Sequence, residues 1–239
     1  MRLFVTGDVH ANHDYDKLKK FRHQKKAELT LDDYIVICGD FGILWDGDRH
    51  DKYFKEKVYG DFPCTILWVD GNHENFDALA TYPIEEWNGG KVRRITDRIL
   101  HLMRGEIFTL PKGEESIKIF ALGGAMSTDR GYDTGNNRGW WPQELPSEDE
   151  IKNAINNLVA HKETVDYVFT HDAPPNVLHE ANILDPRTGE IRRSDPTLSS
   201  VLGSLSRVLN FKGWYFGHHH RDLSHGKFHC LYQTIVELT

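Results

Sequence analysis

Short apolar runs recur along the chain, and each stops abruptly at a glycine or a polar residue. Arg2 to Thr6 ends at Gly7-Asp8-Val9-His10, Asp33 to Cys38 at Gly39-Asp40, and Thr65 to Val69 at Asp70-Gly71-Asn72-His73-Glu74. Asp166 to Thr170 ends at His171-Asp172, and Gly213 to Phe216 at Gly217-His218-His219-His220. Runs of this length, rich in Val, Ile, Phe and Tyr, predict buried strands. Helical patterns follow several of them, as in an α/β protein, where strand ends deliver the chemistry. Five strands therefore end in five polar tips.

Between the third and fourth tips the alternation predicts strands at Lys91 to Ile95, Ile99 to Met103, Glu106 to Leu110 and Ile117 to Leu122, in antiparallel or mixed hairpins. A helix is predicted from Glu148 to His161: Ser147 and Glu150 form a capping box, and Ile151, Ala154, Ile155, Leu158 and Val159 recur at helical spacing as a core face. Another starts at Asp195-Pro196, with Leu198, Val201, Leu202, Leu205, Val208 and Leu209 on one face. No repeat or low-complexity linker interrupts the pattern, so residues 1–239 read as a single domain. The segment Ala125 to Pro146 has no period, and carries Arg130, Asp133, Asn136, Asn137, Arg138, Trp140 and Trp141 among glycines. It reads either as an active-site loop or small cap, or as a surface loop pinned by two buried tryptophans.

Composition narrows the class. With 39% hydrophobic and 11% aromatic residues in 239, the chain can bury a core, which excludes a disordered or collagen-like protein. Its 29 Lys and Arg against 36 Asp and Glu argue against a nucleic-acid coat or a polybasic membrane anchor. The basic cluster Lys17, Lys19, Lys20, Arg22, Lys25 and Lys26 on the first predicted helix reads as a solvated face, with a phosphate-tracking surface as the lesser reading. No apolar run approaches the roughly 20 residues a membrane helix needs. The first strand begins too early to leave room for an export signal. Cys38, Cys64 and Cys230 are odd in number and lack C-x-x-C spacing, so they read as reduced core residues of a cytoplasmic protein. Fourteen histidines direct attention to metals.

The tips supply a donor set for two divalent cations: hard oxygens, imidazoles and a carboxylate able to bridge. Alternate residues of a strand end point the same way, so Asp8 and His10 can grip one ion. Asp40, after an equivalent strand, is placed to bridge. Asn72 offers an amide oxygen, His171 and His218 offer nitrogens to the second ion, and His220 returns to the first. Any one of these alone reads as a turn residue or a hydrogen-bonded histidine; the ordered set on five strand exits does not.

This order of motifs resembles the calcineurin-like metallophosphoesterase superfamily, from Gly7-Asp8-Val9-His10 through Gly39-Asp40, Gly71-Asn72-His73-Glu74 and Thr170-His171 to Gly217-His218-His219-His220. The resemblance implies an α/β fold, a two-sheet β-sandwich flanked by helices, with a dinuclear site at the sheet edges. It implies one ion on Asp8, His10, Asp40 and His220, and another on Asp40, Asn72, His171 and His218. Manganese is favoured, with iron, zinc or nickel as alternatives. His73 matches a histidine that acts near the substrate without binding metal, and His219 lies between ligands.

The chain departs from the family at two places. Ala11 stands where Gly is frequent, a change that a looser turn absorbs. Ile43 and Leu44 follow Asp40 where protein-phosphatase members carry an Asp and an Arg, so Asp46, Asp70 or Asp77 is expected to orient His73, and Arg130 or Arg138 to hold phosphate.

The implied activity is hydrolysis of a phosphomonoester or phosphodiester by attack of a metal-bound hydroxide, with His73 and Asp40 catalytic. Trp140 and Trp141 beside Arg138 can stack on a base, which would suit a nucleotide or oligonucleotide substrate; the competing reading buries both rings. The alternative from another class is a metal-binding scaffold or regulatory protein with little catalysis.

Overall fold

The computed structural model describes residues 1–45, 49–127, 140–185, 188–192 and 194–238. In chain order the strands are β1 (Leu3–Gly7), β2 (Tyr34–Cys38), β3 (Thr65–Val69), β4 (Ile84–Trp87), β5 (Gly90–Thr96), β6 (Ile99–Leu102), β7 (Glu106–Lys112), β8 (Glu115–Leu122), β9 (Tyr167–Thr170), β10 (Gly213–Phe216), β11 (Leu223–His225), β12 (Phe228–Cys230) and β13 (Val236–Leu238). They form a seven-stranded sheet, β13-β1-β2-β3-β6-β5-β4, and a six-stranded sheet, β11-β12-β10-β9-β8-β7. Both are mixed. β1, β2, β3 and β6 run parallel in the first, as do β8, β9, β10 and β12 in the second.

Strands buried on both faces need not alternate, and β1, β2, β3, β9 and β10 are buried at every position. Odd and even residues serve two different cores. Leu3, Val5, Val36, Leu67 and Val69 meet Phe108, Ile119, Phe169 and Tyr215 between the sheets. Phe4, Ile35, Ile37, Ile66 and Trp68 face outward onto Leu18 and Phe21 of helix α1 (Asp16–Lys25). Beyond the short α2 (Arg49–Tyr53), α3 (Phe76–Ala80) adds Phe76 and Leu79 to that layer. On the far side, Phe120, Val168, Trp214 and Phe216 pack against α4 (Glu148–Ala160), α5 (Pro175–Glu180) and α6 (Pro196–Val208). The result is the expected sandwich of two sheets flanked by helices.

The predicted capping box is present: Glu150 N–H donates to Ser147 Oγ (3.3 Å), and Ser147 N–H to Glu150 Oε2 (2.7 Å). Asp195 caps α6 by accepting from Thr197 and Leu198. The buried stripe of α4 is narrower than its periodicity suggests, because Ala154 and Leu158 are buried whereas Ile155 and Val159 are exposed. Likewise Val208 is exposed while Leu198, Leu202 and Leu205 are buried. The hairpins divide between the sheets, β5 with β6 in one and β7 with β8 in the other. No described helix is long and apolar enough to cross a membrane.

Candidate metal centre

Parallel strands bring their C-terminal ends to one edge, and the turns that follow are bound to one another there. Asp40 O accepts from both Val9 N–H (2.9 Å) and His10 N–H (2.8 Å). Asp8 Oδ1 accepts from His218 N–H at 2.9 Å, and Asp40 Oδ1 from His73 N–H at 2.7 Å. His10, Asp40, His218 and His220 all adopt left-handed backbone, with φ of 46°, 49°, 64° and 50°. Ala11 is left-handed too, at 56°, a conformation that glycine adopts at less cost. The glycines of the two middle tips are required by closeness. A Cβ on Gly39, whose φ is 84°, would stand 2.0 Å from His171 Nδ1, and one on Gly71 would stand 2.1 Å from Asp40 Oδ1.

Two donor groups result. One atom each of Asp8, His10, Asp40 and His220 lie within 4.8 Å of one another, and so do atoms of Asp40, His171 and His218. Asp40 belongs to both. Asn72 joins the second through His171, whose Nε2 lies 3.2 Å from Asn72 Oδ1 and 3.2 Å from Asp40 Oδ1. A third group, Asp172, His218 and His219, adjoins it; His219 Nε2 faces Asp172 Oδ1 at 3.2 Å, away from Asp40.

Hydrogen bonds behind the donors hold the imidazoles in place. His10 Nδ1 lies 2.7 Å from Asp14 Oδ2, and Asp14 Oδ1 accepts from Tyr232 OH at 2.7 Å. His171 Nδ1 donates to Cys38 O at 2.8 Å, which turns Nε2 toward Asn72 and Asp40. The half-exposed ring of His220 stacks on Tyr232, with centroids 4.8 Å apart. Lys17 is buried; its Nζ donates to the carbonyls of Gly7 (2.6 Å), Asp8 and Tyr232, directly behind Asp8.

The donor set fits divalent cations. Asp8 Oδ2 is buried and has no hydrogen-bond partner among the described residues, an arrangement that is costly unless something positive meets it. His171 Nε2 faces two oxygens at once, and His10 is flanked by two carboxylates, Asp14 and Asp40. The charges register this crowding. Burial and Asp40 push the Asp8 carboxyl up to about 6, against the opposing pull of His171 and His10. Burial works against ionisation of Asp40 as well, but His171, His10 and His73 outweigh it and hold Asp40 well below the usual carboxylate range. Burial disfavours charge on His10 and His171, yet Asp40 and Asp8 bring them to about 9 and about 10. Aspartate, amide and imidazole donors together suit divalent metal cations.

The remaining expectations fare differently. Trp141 belongs to the core: it is 4% exposed, packs against Trp45 and Phe76, and its Nε1 donates to Asp77 Oδ2 at 3.1 Å. Its ring therefore has no surface to offer a base. Trp140 is partly buried beside it. Arg130, Arg138 and Asp46 lie outside the described residues. Asp70 is committed through both oxygens to Arg104 and His101, so it does not orient His73, while Asp77 accepts from Trp141. Lys17 is not part of a solvated face.

Asp14 and Trp45 stand outside every motif, and Glu74 stands in the third tip without an assigned role. Asp14 lies four residues after His10, and that spacing was its only signal. Trp45 carries no motif, yet stands 6.3 Å from His73, ring to ring. Glu74 is buried and accepts from Phe41 N–H (2.9 Å) and Gly42 N–H (3.1 Å), tying the second tip to the third. Burial and Asp40 raise its carboxyl to about 8.

Residues 1–222 match the family model described as calcineurin-like phosphoesterase. A comparison with curated proteins finds no match.

Proposed function

Because the chain belongs to the calcineurin-like phosphoesterase family, a family of hydrolases acting on phosphoester bonds, we propose that it cleaves a phosphomonoester or phosphodiester at a dinuclear centre formed by the strand tips. The observation that carries this reading is Asp40, whose carboxylate belongs to both donor groups. Asp8, His10, Asp40 and His220 would hold one cation, and Asp40, Asn72, His171 and His218 the other. Divalent cations held there, manganese being favoured, would supply Lewis acidity toward phosphoryl oxygens and water.

The chain's own residues do the rest. Asp14 fixes which nitrogen of His10 points inward, and the Cys38 carbonyl does the same for His171. His73 is placed by its backbone N–H on Asp40, with its ring 5.6 Å from that of His10. It serves as the proton donor to the leaving oxygen, or as a hydrogen-bond donor to the phosphoryl group. Direct attack by water accounts for the chemistry without a covalent enzyme intermediate. Cys38 is the nearest thiol in sequence, but burial pushes it far above the range in which it is a nucleophile, and its Sγ lies 3.6 Å from Tyr215 O. Three buried cysteines, all free, support a cytoplasmic location.

The test is hydrolysis of p-nitrophenyl phosphate and bis-p-nitrophenyl phosphate with added manganese. Activity on one of them, lost in Asp40→Asn, is expected; preference between them separates phosphatase from phosphodiesterase. Turnover of neither, by a protein that binds two cations, would instead support a scaffold.

A further inference from the structure

A cleft of about 460 Å³ opens beside the donor groups. His10, which belongs to the first donor group, lines it together with His73, Trp45, Asn12 and His13. The volume falls within the range of small-ligand sites. No carboxylate, lysine or arginine is among its described lining residues.

Trp45 is held as a platform. Its N–H donates to Asp51 Oδ1 at 3.2 Å and its carbonyl accepts from Asn75 Nδ2 at 2.8 Å, so the backbone is fixed on both sides. The indole is braced by the buried Trp141, with centroids 5.9 Å apart and planes at 74°, and Trp141 is itself anchored on Asp77. A partly exposed indole immobilised in this way loses little further freedom on binding, and every planar π-system offers it a face. The polar ends of the exposed Asn12 and His13 side chains can meet hydrogen-bonding edges, which nucleobases have and simple aryl groups lack.

We propose that Trp45 is a specificity-determining residue: with the phosphoryl group at the metal centre, the cleft takes the base of a nucleoside phosphoester. The assignment rests on the hydrolase reading for the position of the phosphoryl group, and it places the stacking surface at Trp45 and not at Trp140 or Trp141.

The test compares adenosine 5′-monophosphate with ribose 5-phosphate, which share sugar and phosphate and differ by the base. Dissociation constants are measured calorimetrically on the manganese-loaded protein, and kcat/KM is measured wherever turnover occurs. The base should tighten binding about tenfold. Trp45→Phe should retain most of that preference. Trp45→Leu, which keeps an apolar side chain beside Trp141 but removes the planar face, should bring adenosine 5′-monophosphate down to the affinity of ribose 5-phosphate. Equal wild-type affinities, or a preference that survives in Trp45→Leu, would overturn the proposal. Base-dependent binding without hydrolysis of any phosphoester upholds the platform and removes the hydrolase reading; hydrolysis without base dependence removes the platform alone.

Discussion

Gly71 lies against Asp40 so closely that a side-chain carbon there would stand 2.1 Å from Oδ1 and 2.4 Å from the amide nitrogen. Neither neighbour can retreat, because Asp40 Oδ1 is held by His73 N–H and its backbone carbonyl by Val9 and His10. Gly71→Ala should therefore displace the shared carboxylate. A loss of manganese affinity of about tenfold or more is expected, in the range seen when groups behind metal ligands are altered. Metal titration of the purified variant checks it, and unchanged affinity would separate Asp40 from the metals.

His73 is expected to act on the substrate without holding metal. His73→Ala should lower kcat by about 10² or more, the usual contribution of a positioned acid or base, while bound manganese stays at the wild-type stoichiometry. Asp40→Asn should abolish both. Elemental analysis beside steady-state kinetics distinguishes the two variants.

Lys17 neutralises three carbonyls behind Asp8. Lys17→Met keeps the length of the stem but leaves the acceptors of Gly7, Asp8 and Tyr232 facing an apolar chain, at a cost of about 1–3 kcal/mol. A lower Tm and weaker binding of the ion assigned to Asp8 and His10 should appear together. Lys17→Arg, too bulky for the buried slot, should not restore them.

The pair Asp70 and Arg104 contributes to acid stability. Burial would raise the Asp70 carboxyl, but Arg104 and then His101 hold it well below the usual range. A depressed carboxylate stabilises the fold above its unfolded value of 3.8, and that contribution fades as pH falls through the folded value. The wild type should lose stability below about pH 4, and Asp70→Asn should flatten that limb. At pH 7 the variant should be less stable by about 3 kcal/mol, since Arg104 keeps its charge in a buried place with only Glu150, 3.4 Å away, to oppose it. Urea midpoints measured from pH 3 to 7 check both statements.

Much of this architecture was readable from the chain alone, for a physical reason. A parallel strand buried on both faces must be a run of apolar residues, and its end must turn at the sheet edge, so Gly39-Asp40 or Gly217-His218 is announced by what precedes it. β4 and β11–β13 escaped because three- and four-residue strands of mixed polarity carry no period. Lys17 misled because charge patterning describes a helix face statistically, whereas this amine is drawn inward by three carbonyls from distant segments. Trp141 was ambiguous for the same reason: only the folded chain brings Asp77, Phe76 and Trp45 around it. Trp45 had no motif at all, and its position beside His73 arises entirely from packing.

Four of the proposed ligands, His10, Asp40, His218 and His220, are non-glycine residues in left-handed backbone. Such conformations cost roughly 1–2 kcal/mol each for side chains of this kind. Glycine would relieve every one of them and delete the donor with the strain. Thermal hardening of this molecule thus has no route through these four ligands. It must come from positions that hold no donor: Ala11, left-handed at the same edge, and remote surfaces, where the exposed apolar side chains of Leu31, Val159 and Val208 are free to be exchanged.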